Sequence, residues 1–145
     1  MASKFNQGWF TPKNIQKYVG DVSKIRYMSS WEYQFNLFLD GNSNILRWSS
    51  ENIGIPYIKP TDNKVHTYYP DYWIEYKDKN GKIVQEILEI KPLNQVTLGK
   101  RPSKFAQLTW AVNMAKWESC KRFCESKGIG FKILTEEQLF NQGSK

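Results

Sequence analysis

The sequence predicts an α/β fold. Three observations predict it: helical apolar spacing at 29–40 and again at 104–127, a long hairpin signal at 71–91 between them, and an apolar strand after the second helix. Ahead of the first helix, residues 1–28 are polar, basic and aromatic (Phe5, Trp9, Phe10, Tyr18), and Pro12 and Gly20 interrupt any long periodicity. They are expected to form a basic N-terminal arm laid over one domain that spans residues 1–145. In SSWEYQFNLFLD the apolar residues Trp31, Phe35, Phe38 and Leu39 recur at i, i+4, i+7 and i+8, one face of a helix that a Ser caps and that Gly41 and Asn42 stop. ILRWSSENIGIPYI reads as a short strand or two, broken at Ser49–Glu51, and His66 falls in a polar loop after it. DYWIEYKDKNGKIVQEILEIK is the strongest hairpin signal in the chain, and PLNQVTLGKRPS, which follows, is a breaker-rich basic loop. Over 104–127 the stripe Phe105, Leu108, Val112, Ala115 and Phe123 marks a helix with Gly128 at its C-cap. GFKILTEEQL ends the pattern as a buried strand, with Thr135 opening a last short helix. Trp31, Trp73, Trp110 and Trp117 all fit buried faces.

Composition narrows the function. At 145 residues the chain is long enough for one core that buries roughly two-thirds of the surface an unfolded chain exposes. Lys and Arg number 21 against 14 Asp and Glu, a formal charge of +7, which favours a polyanionic partner and nucleic acid first. Cys120 and Cys124 have no second Cys/His pair to complete a zinc site, so they are expected to be core thiols of a protein folded in a reducing compartment. Neither a leader peptide nor a membrane span is expected, because no charged-then-apolar leader opens the chain and no apolar run approaches ~18 residues. No Walker-type loop, nucleophilic triad or zinc cluster is present, and no small-molecule cofactor is expected.

The chemistry-bearing residues lie on the hairpin, and its register decides whether they meet. Side chains alternate faces, so a slip of one residue separates Asp71 from Glu89. A two-residue turn at Asn80-Gly81 pairs Asp71 with Ile90 and puts Glu89 on the other face. A three-residue loop, with Lys79-Asn80 in a type I turn and Gly81 left-handed, pairs Asp71 with Glu89 instead. Opposed carboxylates repel unless something positive lies between them. A divalent cation would serve, and Mg²⁺, for which Mn²⁺ can substitute, prefers such hard oxygen ligands: Asp71, Glu89 and the Ile90 carbonyl, with Glu32 in the first helical turn as a third carboxylate. Lys91, two residues past Glu89, points to the same face, where it could orient an attacking water or steady a pentavalent transition state. The structural alternatives are equally plain. Asp71 could begin a strand after Pro70, Glu89 and Lys91 could be solvated edge charges, and Glu32 could complete a capping box with Ser29. Lys100, Arg101 and Lys104, in and just after the basic loop, are placed to grip a nucleic-acid backbone.

Taken in order, YMSSWEYQFNLFLD, ILRWSSENIGIPYI, YYPDYWIEY, EILEIKP and GFKILTEEQL resemble the PD-(D/E)xK nuclease superfamily, in its TnsA transposon endonuclease branch. Closer still, with QGWFTPKNIQKYVGD ahead of them, they resemble the head completion proteins of T-even-type bacteriophages over nearly the whole chain. The resemblance implies a restriction-endonuclease-like core, a mixed β-sheet flanked by helices, with the acidic helix residue at Glu32, the motif Asp at Asp71 and the Glu-x-Lys pair at Glu89 and Lys91. It also implies a Mg²⁺-dependent DNA endonuclease that acts on double-stranded DNA at or near packaged ends before tail joining. Phage head, portal or neck proteins are then its partners, and its location is the virion, with the host cytoplasm during assembly. Two other functions fit the same fold: a non-catalytic head-completion or DNA-end-binding protein, and a transposase-type or junction-resolving endonuclease.

Overall fold

The turn at Asp78–Lys82 sets the register of the central sheet. In the computed structural model, which describes residues 7–93 and 96–135, the Gly81 N–H donates to the Asp78 carbonyl at 2.9 Å. The Asp78 carboxylate accepts the N–H groups of Asn80 and Lys82, each at 2.9 Å. Gly81 has φ +79°, the left-handed conformation that closes a three-residue loop. Strands β6 (Tyr72–Lys77) and β7 (Ile83–Ile90) therefore pair antiparallel from Lys77 opposite Ile83 to Tyr72 opposite Leu88.

Before this hairpin come β1 (Gly8–Trp9), β2 (Arg26–Tyr27), α1 (Ser30–Gly41), β3 (Ile45–Ser50), β4 (Ile55–Lys59) and β5 (Lys64–Tyr68); after it come α2 (Lys104–Lys127) and β8 (Gly130–Leu134). The main sheet has the order β3-β6-β7-β8. β3 runs antiparallel to β6, whereas β8 lies parallel to β7, so the sheet is mixed. A parallel neighbour needs a crossover, and α2 is that crossover. The expected α/β fold, a mixed sheet flanked by helices, is what the chain adopts.

The strands alternate their side chains between two cores. On one face Trp48, Tyr72, Ile74, Leu88 and Leu134 pack against Phe35 and Leu39 of α1. Phe10 and Ile25, from the segment before α1, join that core. The segment is also tied down by polar contacts: the Asp40 carboxylate accepts the N–H groups of Lys13 and Asn14 at 2.9 and 3.0 Å. The Lys17 ammonium donates to the carbonyls of Leu39, Asp40 and Asn42, where α1 leaves its last carbonyls unpaired. On the other face Ile87 packs with Trp117, Cys120 and Cys124 of α2 and with Ile55, Tyr57 and Tyr68 of the β4-β5 hairpin. Both cysteines are buried free thiols, as expected.

Four readings of the sequence need correction. The buried face of α2 is Asn113, Trp117, Cys120 and Cys124. Phe105 and Leu108 of the expected stripe are instead 78% and 44% exposed, because counting strong hydrophobes passes over a buried Asn and two Cys. The strand expected to break at Ser49 continues through Ser50, since Ser49 and Ser50 pair with Trp73 and Tyr72, and it ends at Glu51, whose φ is +48°. β5 lies where a loop was expected. It pairs with β4 from Ile55 opposite Tyr68 to Lys59 opposite Lys64 and places His66 on a strand, 2.9 Å from Asp62. Trp117 is buried as expected, whereas Trp31, Trp73 and Trp110 are only partly covered. Phe5 and the short helix expected after Thr135 lie outside the described residues.

Gly81 tests the turn. Nothing lies within 4 Å of a Cβ built there, so an alanine meets no obstacle except its own backbone. Gly81→Ala should cost about 1–2 kcal/mol in denaturant unfolding. Gly99→Ala, also in open space and without positive φ, should cost nothing comparable.

Candidate active site

The three-residue turn carries the pairing one step past Tyr72 and Leu88, which brings Asp71 opposite Glu89. The sequence reading that joins the two carboxylates is the one the chain adopts. Asp71 Oδ2 accepts the Ile90 N–H at 2.7 Å. In an extended strand the N–H and C=O of one residue point the same way, so the Ile90 carbonyl also faces the Asp71 side. Glu89, 6% exposed, accepts the Tyr68 hydroxyl at Oε1 at 2.7 Å, and its Oε2 lies 3.9 Å from the Lys91 ammonium.

The electrostatics follow from this crowding. Burial, and next the charge of Glu89, push the Asp71 carboxyl well above its usual range, and the Ile90 N–H only partly offsets them. Burial also raises Glu89, against the Tyr68 hydrogen bond and the positive charges of Lys91 and Lys116. Two carboxylates in one half-dry place disfavour each other's ionisation. Burial and Glu89 hold the Tyr68 phenol far above its ordinary value, so it stays a donor.

Glu32 does two things at once. Its N–H donates to Ser29 Oγ at 3.2 Å, and its Oε1 accepts the Met28 N–H at 3.0 Å, a capping box in which the carboxylate reaches the residue before the cap. Its Oε2 takes no hydrogen bond among the described residues. Burial raises the Glu32 carboxyl, and the charges of Glu51 and Glu89 add to that. A cleft of about 370 Å³ is lined by Glu32, Ile90 and Lys91, joining the first turn of α1 to the end of β7.

Two nearby groups were not legible beforehand. Glu51, at the end of β3, donates its N–H to the Asp71 carbonyl at 3.0 Å, and its charge acts on Asp71 and Glu32. Lys116 of α2 sits over the rings of Tyr57 and Tyr68, 6.0 and 5.8 Å from their centroids, and its charge acts on Glu89. Neither belongs to a local motif; only the packing of β3 and α2 brings them in. Of the basic loop, Lys100 and Arg101 line a cavity of about 640 Å³ together with Lys91, while Lys104 is outside that lining.

No group of three or more His, Cys, Asp and Glu side chains able to hold a metal ion occurs among the described residues. The oxygen donors gathered at one point are the Asp71–Glu89 pair, with the Ile90 carbonyl on the same side. Such a set suits a hard divalent cation that keeps several waters, and a cation would offset the burial that raises both acids and the charge of Glu89 that adds to it at Asp71.

Residues 42–136 match the family model described as TnsA-like endonuclease N terminal. Asp71, Glu89 and Lys91 fall inside that match and Glu32 outside it. Over 148 residues the chain is 37% identical to the head completion nuclease of Enterobacteria phage T4, an alignment that covers 95% of this chain and 96% of the relative.

The raised acids fix the sign of a pH effect. A carboxyl whose folded pKa exceeds its unfolded value, 3.8 for Asp71, binds its proton more tightly when folded. Its contribution to stability is therefore fully present below that value and is lost as pH rises through the folded pKa. In EDTA, Asp71→Asn should melt a few degrees above the wild type at pH 8, and the gap should close toward pH 4. Added Ca²⁺ should raise the wild-type melt at pH 8 and leave the variant's unmoved.

Proposed function

Because the chain belongs to the TnsA-like endonuclease family, we propose that it is a Mg²⁺-dependent DNA endonuclease whose site is Asp71, Glu89, Lys91 and Glu32. The observation that supports this most strongly is the opposition of Asp71 to Glu89 with Lys91 at 3.9 Å from Glu89. Asp71, Glu89 and the Ile90 carbonyl are the groups that would hold Mg²⁺ or Mn²⁺, with Glu32 reaching them across the cleft. When bound, the ion lowers the pKa of an attacking water and offsets charge on the phosphoryl oxygens. Lys91 stands where it can orient that water or steady the charge of the pentavalent transition state. Tyr68, kept protonated, holds the Glu89 carboxylate in place, and Lys116 offsets part of its charge. The whole forms one domain, with residues 1–28 as its basic arm.

The likeness to the T4 head completion nuclease extends the proposal. The protein acts in phage head completion, on double-stranded DNA at or near packaged ends before tail joining. Its partners are head, portal or neck proteins, and it resides in the virion after assembly in the host cytoplasm. No helix among the described residues is long and apolar enough to cross a membrane.

Purified protein should cut DNA with Mg²⁺ or Mn²⁺ and not in EDTA. Asp71→Asn and Lys91→Ala should each remove the activity while melting cooperatively. Glu32→Gln separates the two duties of Glu32: the amide retains the cap, so cutting should fall with little loss of stability, whereas Glu32→Ala should also cost about 1 kcal/mol. Normal cutting by Glu32→Gln would remove that residue from the site.

Lys100, Arg101 and Lys104 are proposed to hold the DNA backbone next to Lys91. Changing all three to Ala in an Asp71→Asn background with Ca²⁺ should weaken binding to unrelated duplexes alike. The slope of log K against log salt should flatten by roughly two to three units. An unchanged slope would place the DNA path elsewhere.

A further inference from the structure

We propose that the cavity beside Lys91 receives an unpaired nucleobase, so that the enzyme selects DNA with a single-stranded or extruded nucleotide next to the scissile phosphate. The proposal rests on the nuclease reading and adds a substrate class to it. The cavity, about 640 Å³, lies between residues 97–102 and the first half of α2 and is of a size that small-molecule sites occupy. Phe105, Trp110 and Asn113 of α2 all line it, spread over an arc of about 140° of the helix at about 100° per residue.

Asn113 carries the argument. It is only 7% exposed, it lines the cavity, and its carboxamide has no hydrogen-bond partner among the described residues. The carboxamide is not among the fully buried groups that lack a partner, so it stays open to solvent on the cavity side, where an entering ligand can take its hydrogen bonds. A carboxamide presents a donor and an acceptor side by side, the pattern that complements the edge of a nucleobase. Phe105 makes a second, independent point. It is 78% exposed at the cavity wall, where its ring contributes nothing to the core but offers a face on which a base can stack. Lys91, Lys100 and Arg101, also in the lining, supply positive charge for the adjoining phosphates. A base stacked inside a duplex cannot reach this wall; an unpaired one can.

The test separates base from phosphate. In an Asp71→Asn background with Ca²⁺ at fixed salt, fluorescence anisotropy compares a blunt duplex, the same duplex with a short unpaired tail on either strand, and that tail made abasic. The normal tail should bind about tenfold more tightly than the abasic one, in the range that base–aromatic stacking supplies. Phe105→Ala, at an exposed position where folding is not at risk, should bring the normal tail down to the abasic value and leave the blunt duplex unchanged. Asn113→Ala should do the same. Equal affinity for normal and abasic tails, or a preference that survives Phe105→Ala, overturns the proposal. Cleavage of both DNAs by the wild type in Mg²⁺ without any tail preference overturns the pocket alone. A tail preference that depends on Phe105 in a protein that cuts neither DNA overturns the nuclease reading and leaves the pocket standing.

Discussion

The register of the β6-β7 hairpin is the constraint on which the rest depends. Because the loop holds three residues and Gly81 takes the left-handed conformation, every pair along the strands is fixed. A shift of one residue would exchange the faces of Leu88 and Ile87, which belong to different cores, so the packing on both sides of the sheet enforces the same alignment as the turn. The outcome at the open end of the hairpin is unfavourable when taken alone, since Asp71 and Glu89 face each other. The fold tolerates that repulsion because two cores hold the strands in place, and the strain gathers where a cation and a substrate phosphate can relieve it.

Each layer then delivers one group to that end. α1 covers one face and brings Glu32 in its first turn, while α2 covers the other and brings Lys116 against Glu89. The β4-β5 hairpin supplies the Tyr68 hydroxyl that orients Glu89, and β3 ends in the turn that places Glu51 beside Asp71. Lys91 follows on the same strand as Glu89, and the chain past it forms one wall of the cavity that Asn113 and Phe105 face. Carboxylates, ammonium groups and an apolar wall thus meet at one edge although they come from α1, β3, the β4-β5 hairpin, β7 and α2.

What could be read in advance was what is local. The Ser29 cap, the αL glycine after α2 and the turn chemistry of DKNGK are short-range signals, and each sits where the residues put it. Asp71, Glu89 and Lys91 were legible because period-two alternation carries a turn's register to the far end of a hairpin. Glu51 and Lys116 were not, since β3 meets Asp71 and α2 meets Glu89 only after the sheet has packed. The buried face of α2 was misread because Asn113, Cys120 and Cys124 do not look apolar to a count of strong hydrophobes. β5 was missed because its alternation is set by a partner strand and not by a core: Val65 is 71% exposed.

The central claim is that one register creates a carboxylate pair built for a divalent cation. Calorimetric titration of Mn²⁺ into the DNA-free protein tests it most directly, in the wild type and in folded Asp71→Asn and Glu89→Gln variants. The account predicts binding in the wild type, with release of protons that the raised carboxyls hold in the free protein, and loss of that binding in each variant. Mn²⁺ binding that persists unchanged in both variants would contradict it.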